Sequence, residues 1–345
     1  MYKIFFKLSG KYSNLSLAEL KAILESLEYK YKIIEIDSCV ALIELDKFFL
    51  EKVIERAAYT KAAYMLLSVG KNYKELIKNI KEETIEEFIP KNVRFEVRVK
   101  RIMGAKIDTL KIEKMLGEIL IKKFKEARVD LTNPTHKIHC LVTPFKLYLG
   151  LLLSEKRKKW IHNRKPINRP FNLPSSLQPE LARCMVNLIR EKPGKIILDP
   201  FAGTGSILIE AELMGYNAIG LELKRWICDG ALKNLKYFLN NYEGIINADA
   251  RYPPLRKSID AIVTDPPYGR SATLMGKTLE KLLKEFFNSM QDILKKEAHV
   301  CFAIPNEIDL ENIMNNNMNL RMIETHSIIV HGSLTRKIIV LQKMN

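Results

Sequence analysis

Along the first 150 residues the apolar positions change period repeatedly, and each change predicts an element. "YKIFFKLS" near the start has the composition of a strand. "SLAE", Ser16 to Glu19, fits a capping box with Leu15 and Leu20 as its hydrophobic staple, which predicts a helix beginning there. "KIIEIDSCVALIEL" predicts paired strands, whereas "FFLEKVIERAAYTKAAYMLLS" repeats apolar residues at helical spacing. A basic strand, "VRFEVRVKRI", a helix, "IDTLKIEKMLGEILIKKF", and a strand pair around "KIHCLVTPFKLYLGLLL" complete an α+β region that ends near Ser154.

Residues 155–171, "EKRKKWIHNRKPINRPF", show no apolar period and many cations. From Pro174 onward the pattern becomes α/β. A helix, "LQPELARCMVNLIREK", precedes the buried strand "KIILDP". Helix "ILIEAELM", strand "NAIGLEL", helix "ICDGALKNLKYF", strand "GIINADA" and strand "AIVTDPP" then follow, with helix "LEKLLKEFFNSMQDILKK" and strand "HVCFAIP" after them. Continuous apolar strands alternating with helices predict a mostly parallel sheet covered on both faces. The last two strands, "ETHSIIVH" and "RKIIVLQ", are joined by the short "GSLT" and should be antiparallel, because a parallel pair needs a long crossover.

A length of 345 residues suits two or three domains. No uncharged apolar run reaches the roughly 18 residues of a membrane span, and the start lacks the apolar region and cleavage site of a secretory signal. A cytoplasmic protein is expected. The formal net charge of +16 favours a polyanionic partner, nucleic acid ahead of membrane. Arg157, Lys158, Lys159, Arg164 and Arg169 flank Trp160 and Phe171, an interleaving that suits phosphate tracking with base stacking. The five cysteines are scattered with no C-x-x-C pair. In "HKIHC" the two histidines lie three apart on a predicted strand and point to opposite faces, so no metal site is expected.

The chemistry concentrates at strand ends. "DPFAGTGS", Asp199 to Ser206, joins a strand to a helix, and Gly203 and Gly205 permit a tight turn with close backbone approach. The third glycine of a dinucleotide fingerprint is replaced by Leu208, and no lysine follows Gly205 as a P-loop requires. An acidic Asp199 would repel phosphate but suits an ammonium group or a positive sulfur, which describes S-adenosylmethionine. Glu222 ends the next strand, at a separation suited to accepting from ribose hydroxyls, and Asp249 after the third strand suits an adenine amine. Phe201 in the turn and Ala250 beside Asp249 complete this candidate cofactor set.

Asp265 closes the fourth strand of the α/β region. Pro266 and Pro267 have fixed φ angles and no N–H, so the turn offers acceptors without the usual donors. Tyr268 supplies a flat π face, and Gly269 lets the chain leave at no steric cost. A rigid acceptor pair beside an aromatic platform suits an exocyclic amine on a planar base. Such an amine is a poor nucleophile because its lone pair is delocalised into the ring. Hydrogen bonds to Asp265 and a proline carbonyl would orient it and stabilise its developing positive charge, once the base has left its stack.

"DPFAGTGS", "GLEL", "NADA" and "TDPPYG" together resemble the class I S-adenosylmethionine-dependent amino-methyltransferases. "RKPINRPF", "LARCMVNL", "TDPPYGRSA" and "GSLTRKIIV" resemble more narrowly the archaeal tRNA guanine-N2 methyltransferases acting at position 10. The resemblance is specific over 155–345 and rests on organisation and "RVKRI" before that. It implies a Rossmann-like α/β methyltransferase domain, a mostly parallel sheet with an antiparallel final strand, over 175–345. Ahead of it would come a ferredoxin-like α+β domain at 1–55, a THUMP RNA-binding domain at 56–154 and a basic linker at 155–174. Asp199, Gly203 and Gly205 would cradle the cofactor, Glu222 its ribose and Asp249 its adenine. Asp265, Pro266 and Tyr268 would hold the guanine N2, and tRNA would be the partner of a monomer, with no DNA or membrane. One or two methyl groups would be transferred. Alternatives are an adenine-N6 enzyme on DNA or RNA, an rRNA guanine-N2 enzyme, and an inactive RNA-binding protein on the same fold.

Overall fold

The computed structural model describes residues 1–80, 87–90, 92–105, 107–123, 126–157, 161–256, 258–267, 279–310, 313, 319–331 and 334–344. The chain divides into two units. The first comprises Met1–Leu20, Glu28–Glu55 and Tyr59–Arg157, and the second Lys21–Leu27, Arg56–Ala58 and Lys158–Asn345.

In the first unit, strands β1 (Tyr2–Leu8), β2 (Tyr31–Asp37), β3 (Val40–Leu45), β4 (Thr60–Gly70), β5 (Arg94–Arg101), β6 (Arg128–Val129), β7 (His136–Val142) and β8 (Leu147–Glu155) form one sheet in the order β2-β3-β1-β4-β8-β7-β5-β6. The pairs β2/β3 and β7/β8 are antiparallel, as the sequence suggests. Strand β5 runs parallel to β7, with the basic helix Thr109–Lys123 between them in the chain. The expected division at residue 55 runs through this sheet, since β4 pairs with β1 on one edge and β8 on the other.

Two local expectations fail here. Helix α1 (Ser13–Ser26) begins one turn before the expected capping box. The Ser16 hydroxyl donates to the Tyr12 carbonyl at 2.7 Å instead, and the Glu19 carboxylate accepts from the Tyr59 N–H at 2.7 Å. The helical pattern of 48–68 yields only the short helix α2 (Glu51–Arg56) before β4 begins. Strand β4 is central and covered on both faces, so its apolar run carries no alternation to distinguish it from a buried helix. On β7, His139 is buried against the Tyr64 hydroxyl at 3.3 Å, and burial pushes its imidazole down to about 3.

The second unit is built on β9 (Ile196–Asp199), β10 (Asn217–Glu222), β11 (Gly244–Asn247), β12 (Ile259–Thr264), β13 (Leu294–Pro305), β14 (Leu320–His331) and β15 (Leu334–Lys343), in the order β11-β10-β9-β12-β13-β15-β14. Strands β9 to β13 are parallel. Strand β15 is antiparallel to both neighbours, as expected. The strand order reverses between β9 and β12, which places a crevice at their carboxyl ends. One face packs Phe286, Phe287 and Met290 against Ile262, Val300 and Phe302. The helix carrying those aromatics, Leu279–Met290, stops before the expected "DILKK", because Leu294 already begins β13.

Residues 161–174 belong to this unit rather than forming a linker. Ile161 and Pro166 are buried among two 3-10 turns, His162–Arg164 and Pro166–Asn168. The Phe171 N–H donates to Asn234 Oδ1 at 2.9 Å, and Asn234 Nδ2 donates back to the Phe171 carbonyl at 2.8 Å. Its ring closes over Gly230, where a Cβ would meet it at 2.4 Å. Among the described residues, no helix is long and apolar enough to cross a membrane.

Candidate active site

Strand β9 delivers Asp199 to the carboxyl edge, and the chain turns there through Phe201 to Gly205. Gly203 (φ 51°) and Gly205 (φ 81°) occupy the left-handed region, where any other residue is strained. Around Gly203 a Cβ would find no neighbour nearer than the Phe201 carbonyl at 3.9 Å, so backbone angle rather than crowding demands glycine. Gly205 caps the helix Ser206–Leu213, and Phe201 stacks edge-on to Phe286 at 5.4 Å.

Glu222 joins this turn directly. Its Oε2 accepts from the Gly203 N–H at 3.1 Å and its Oε1 from the Lys224 N–H at 2.9 Å. Each carboxylate oxygen has two lone pairs, so Glu222 retains acceptor capacity for ribose hydroxyls. Asp199 is only 1% exposed. Its Oδ1 accepts from the Thr264 hydroxyl at 2.7 Å and the Phe201 N–H at 3.2 Å. Burial pushes its carboxyl up to about 7 against those hydrogen bonds, and the charges of Asp265 and Glu222 push the same way.

Asp249 is already engaged. Arg251 grips it from Nη2 at 2.6 Å and from Nε at 3.0 Å, and extends Nη1 to Glu285 at 3.2 Å. An adenine amine would have to share this carboxylate with Arg251. Ala250 turns its methyl into the hydrophobic core and so has no side chain to offer a ligand.

Asp265 follows β12 directly. Its Oδ2 accepts from Arg336 Nη1 at 3.1 Å, while Oδ1, although buried, has no hydrogen-bond partner among the described residues. Burial pushes the carboxyl up to about 6, opposed by the Arg336 guanidinium. Pro266 is buried and Pro267 half-buried. Tyr268 and Gly269 lie outside the described residues. The residues present fit S-adenosylmethionine: a glycine cradle with open space above Gly203, Glu222 with free lone pairs, and an Asp265 oxygen without a partner among the described residues.

The basic segment divides. Arg157 is exposed, and Lys158 and Lys159 lie outside the described residues. Arg164 and Arg169, expected on RNA, turn inward. Arg164 donates to Glu210 from Nε at 2.6 Å and Nη2 at 3.3 Å. Arg169 donates to the Ser206 hydroxyl at 2.6 Å and the Arg164 carbonyl at 2.9 Å. The reason is Glu210, which is fully buried and needs cations, Arg183 among them at 2.8 Å. Thr264, Arg251 and Arg336 engage Asp199, Asp249 and Asp265 respectively, and no sequence motif marks them as a set. Only the cation opening the last strand, in "SLTRK", carried a signal for any of these.

A family model described as "RMKL-like, methyltransferase domain" matches residues 166–338, and one described as "DNA methylase" matches 55–233. The tRNA (guanine(10)-N2)-dimethyltransferase of Methanothermobacter thermautotrophicus is 34% identical over 98% of both chains. Its counterpart in Methanocaldococcus jannaschii is 29% identical, covering 99% of this chain and 100% of its own. The crystal structure of TrmN from Thermus thermophilus shares the fold, with a TM-score of 0.56 at 18% identity over 99% of this chain and all of that one. Similarity at this level along almost the whole chain means that the protein belongs to the tRNA (guanine(10)-N2)-dimethyltransferase family.

Proposed function

We propose that this protein methylates the exocyclic N2 of guanosine 10 in tRNA, using S-adenosylmethionine and forming N2-methyl- and then N2,N2-dimethylguanosine. The observation that carries this reading is Asp265 Oδ1, a buried acceptor without a partner among the described residues, at the reversal point of the sheet. Family membership selects tRNA guanine as the base among those that carry an exocyclic amine.

Asp199, Gly203, Gly205 and Glu222 would hold S-adenosylmethionine, which would supply an electrophilic methyl on a positive sulfur for N2 to take up in exchange for a proton. Asp265 Oδ1 accepts one N2 hydrogen, turning the amine toward the methyl and stabilising its positive charge as the bond forms. Asp265 also offers an anionic site for the departing proton. Pro266, with no N–H to donate, keeps the turn free of competing donors, and Pro267 stiffens it. Asp199, Phe201, Gly203, Gly205, Glu222 and Asp249 form the cofactor side. The basic first unit and the exposed Arg157 serve tRNA docking, a role supported by the net charge and the family.

Full-length protein incubated with labelled cofactor and separate tRNA, rRNA and DNA, followed by nucleoside analysis, tests the assignment. Label in N2-methylguanosine from tRNA position 10 is expected, and label only in N6-methyladenosine would refute it. Asp265→Ala should bind tRNA and cofactor normally yet lose about 100-fold or more in transfer rate.

A further inference from the structure

Because β15 runs against the parallel strands, its first residues reach the edge that the others reach with their last. Arg336, third in β15, lies opposite Pro305, where β13 ends. Strand β13 in turn pairs Phe302 with Thr264, one residue before Asp265. A cation from the final strand is thus brought beside the carboxylate that follows β12.

The contact made there has one point, Nη1 to Oδ2 at 3.1 Å. A fork-on-fork pairing would engage both carboxylate oxygens and leave a substrate only their second lone pairs. The pairing seen holds one oxygen, and the other is buried without a partner among the described residues. A buried acceptor left unsatisfied costs stability unless a ligand completes it. Both side chains are nearly covered, 12% exposed for Arg336 and 13% for Asp265, so solvent screens the pair weakly.

Resting on the function proposed above, we propose that Arg336 is a positioning residue for methyl transfer: it holds Asp265 by Oδ2 and thereby aims Oδ1 at the guanine amine. Arg336 itself touches neither base nor cofactor. Burial alone favours the neutral acid, and the guanidinium opposes that. A protonated Oδ1 would present a donor to an amine that needs an acceptor.

The test is single-turnover methylation of tRNA by full-length wild type, Arg336→Lys, Arg336→Met, Asp265→Ala and the Arg336→Met/Asp265→Ala double variant. Arg336→Met should lose about 100-fold in the rate constant at saturating tRNA and cofactor, with both affinities within about threefold of wild type. Guanidinium ion at millimolar concentration should restore about tenfold of that loss, and sodium chloride at equal ionic strength should not. Arg336→Lys should keep about tenfold more activity than Arg336→Met. In the Asp265→Ala background, Arg336→Met should cost less than about threefold, since the two act as one unit.

Additive losses in the double variant, equal losses for Lys and Met, or a weakened affinity at unchanged rate would each overturn the proposal in favour of a structural ion pair. A wild-type chain that forms no N2-methylguanosine overturns the function and this role together. An active wild type indifferent to Arg336→Met overturns this role alone.

Discussion

Arg164→Ala distinguishes a cation that holds the fold from one that holds RNA. Glu210 is fully buried, and Arg164 gives it two hydrogen bonds, the shorter at 2.6 Å. A charged hydrogen bond contributes about 1.5–3 kcal/mol, and stranding a buried charge altogether costs about 3–5 kcal/mol. Arg183 remains on Glu210 at 2.8 Å, and Arg164 is 15% exposed, so the lower range applies. The expected loss is about 2–3 kcal/mol, a fall in melting temperature of about 4–12 °C for a unit of this size. A phosphate contact would behave otherwise, leaving stability alone and lowering the salt slope of tRNA binding by about one. Thermal unfolding by circular dichroism and tRNA binding across a salt series read the two quantities separately. Arg157→Ala, on an exposed side chain, should show the second pattern. If Arg164→Ala melts within a degree of wild type and flattens the salt slope, the inward role argued for this arginine is wrong.

Two further outcomes concern pH. Asp265, pushed up to about 6 by burial, must be ionised to accept from the amine, so the single-turnover rate should fall about tenfold per pH unit below 6 and level off above it; a rate flat from pH 5 to 8 contradicts this. Asp199 is raised to about 7 in the folded state against about 3.8 when unfolded, so the folded chain keeps a proton that the unfolded chain has released, and stability falls as pH rises through that window. Asp199→Asn removes the titration, so its stability relative to wild type should improve by about 2–3 kcal/mol from pH 5 to pH 8 in denaturant unfolding, and a difference independent of pH would count against it.

Several features are legible in the amino-acid sequence alone. The alternation of buried strands and helices after Pro174 specifies a parallel sheet, and the short "GSLT" connection specifies the antiparallel end. Asp199, Glu222, Asp249 and Asp265 could be placed at one sheet edge because each sits at or just beyond the end of a strand, and parallel strands all end on the same side. Glycines at 203 and 205 declared a backbone conformation that no other residue adopts cheaply.

Partners are another matter, because side-chain pairing is decided by what folding brings alongside. Strand β4 was hidden by its own burial, which erases the alternation that marks a strand. Arg164 and Arg169 share the composition of phosphate binders with Arg157, and only Glu210 and Ser206, arriving on a helix some 40 residues later, turn them inward. Arg336 stands 71 residues from Asp265, and β15's reversed direction is what joins them. The sequence alone thus determined the order of elements and the residue types at each strand end, since those depend on local period and backbone freedom. Which charges neutralise one another, and which oxygen stays free, was decided by tertiary structure, since burial and contact are properties of the packed chain.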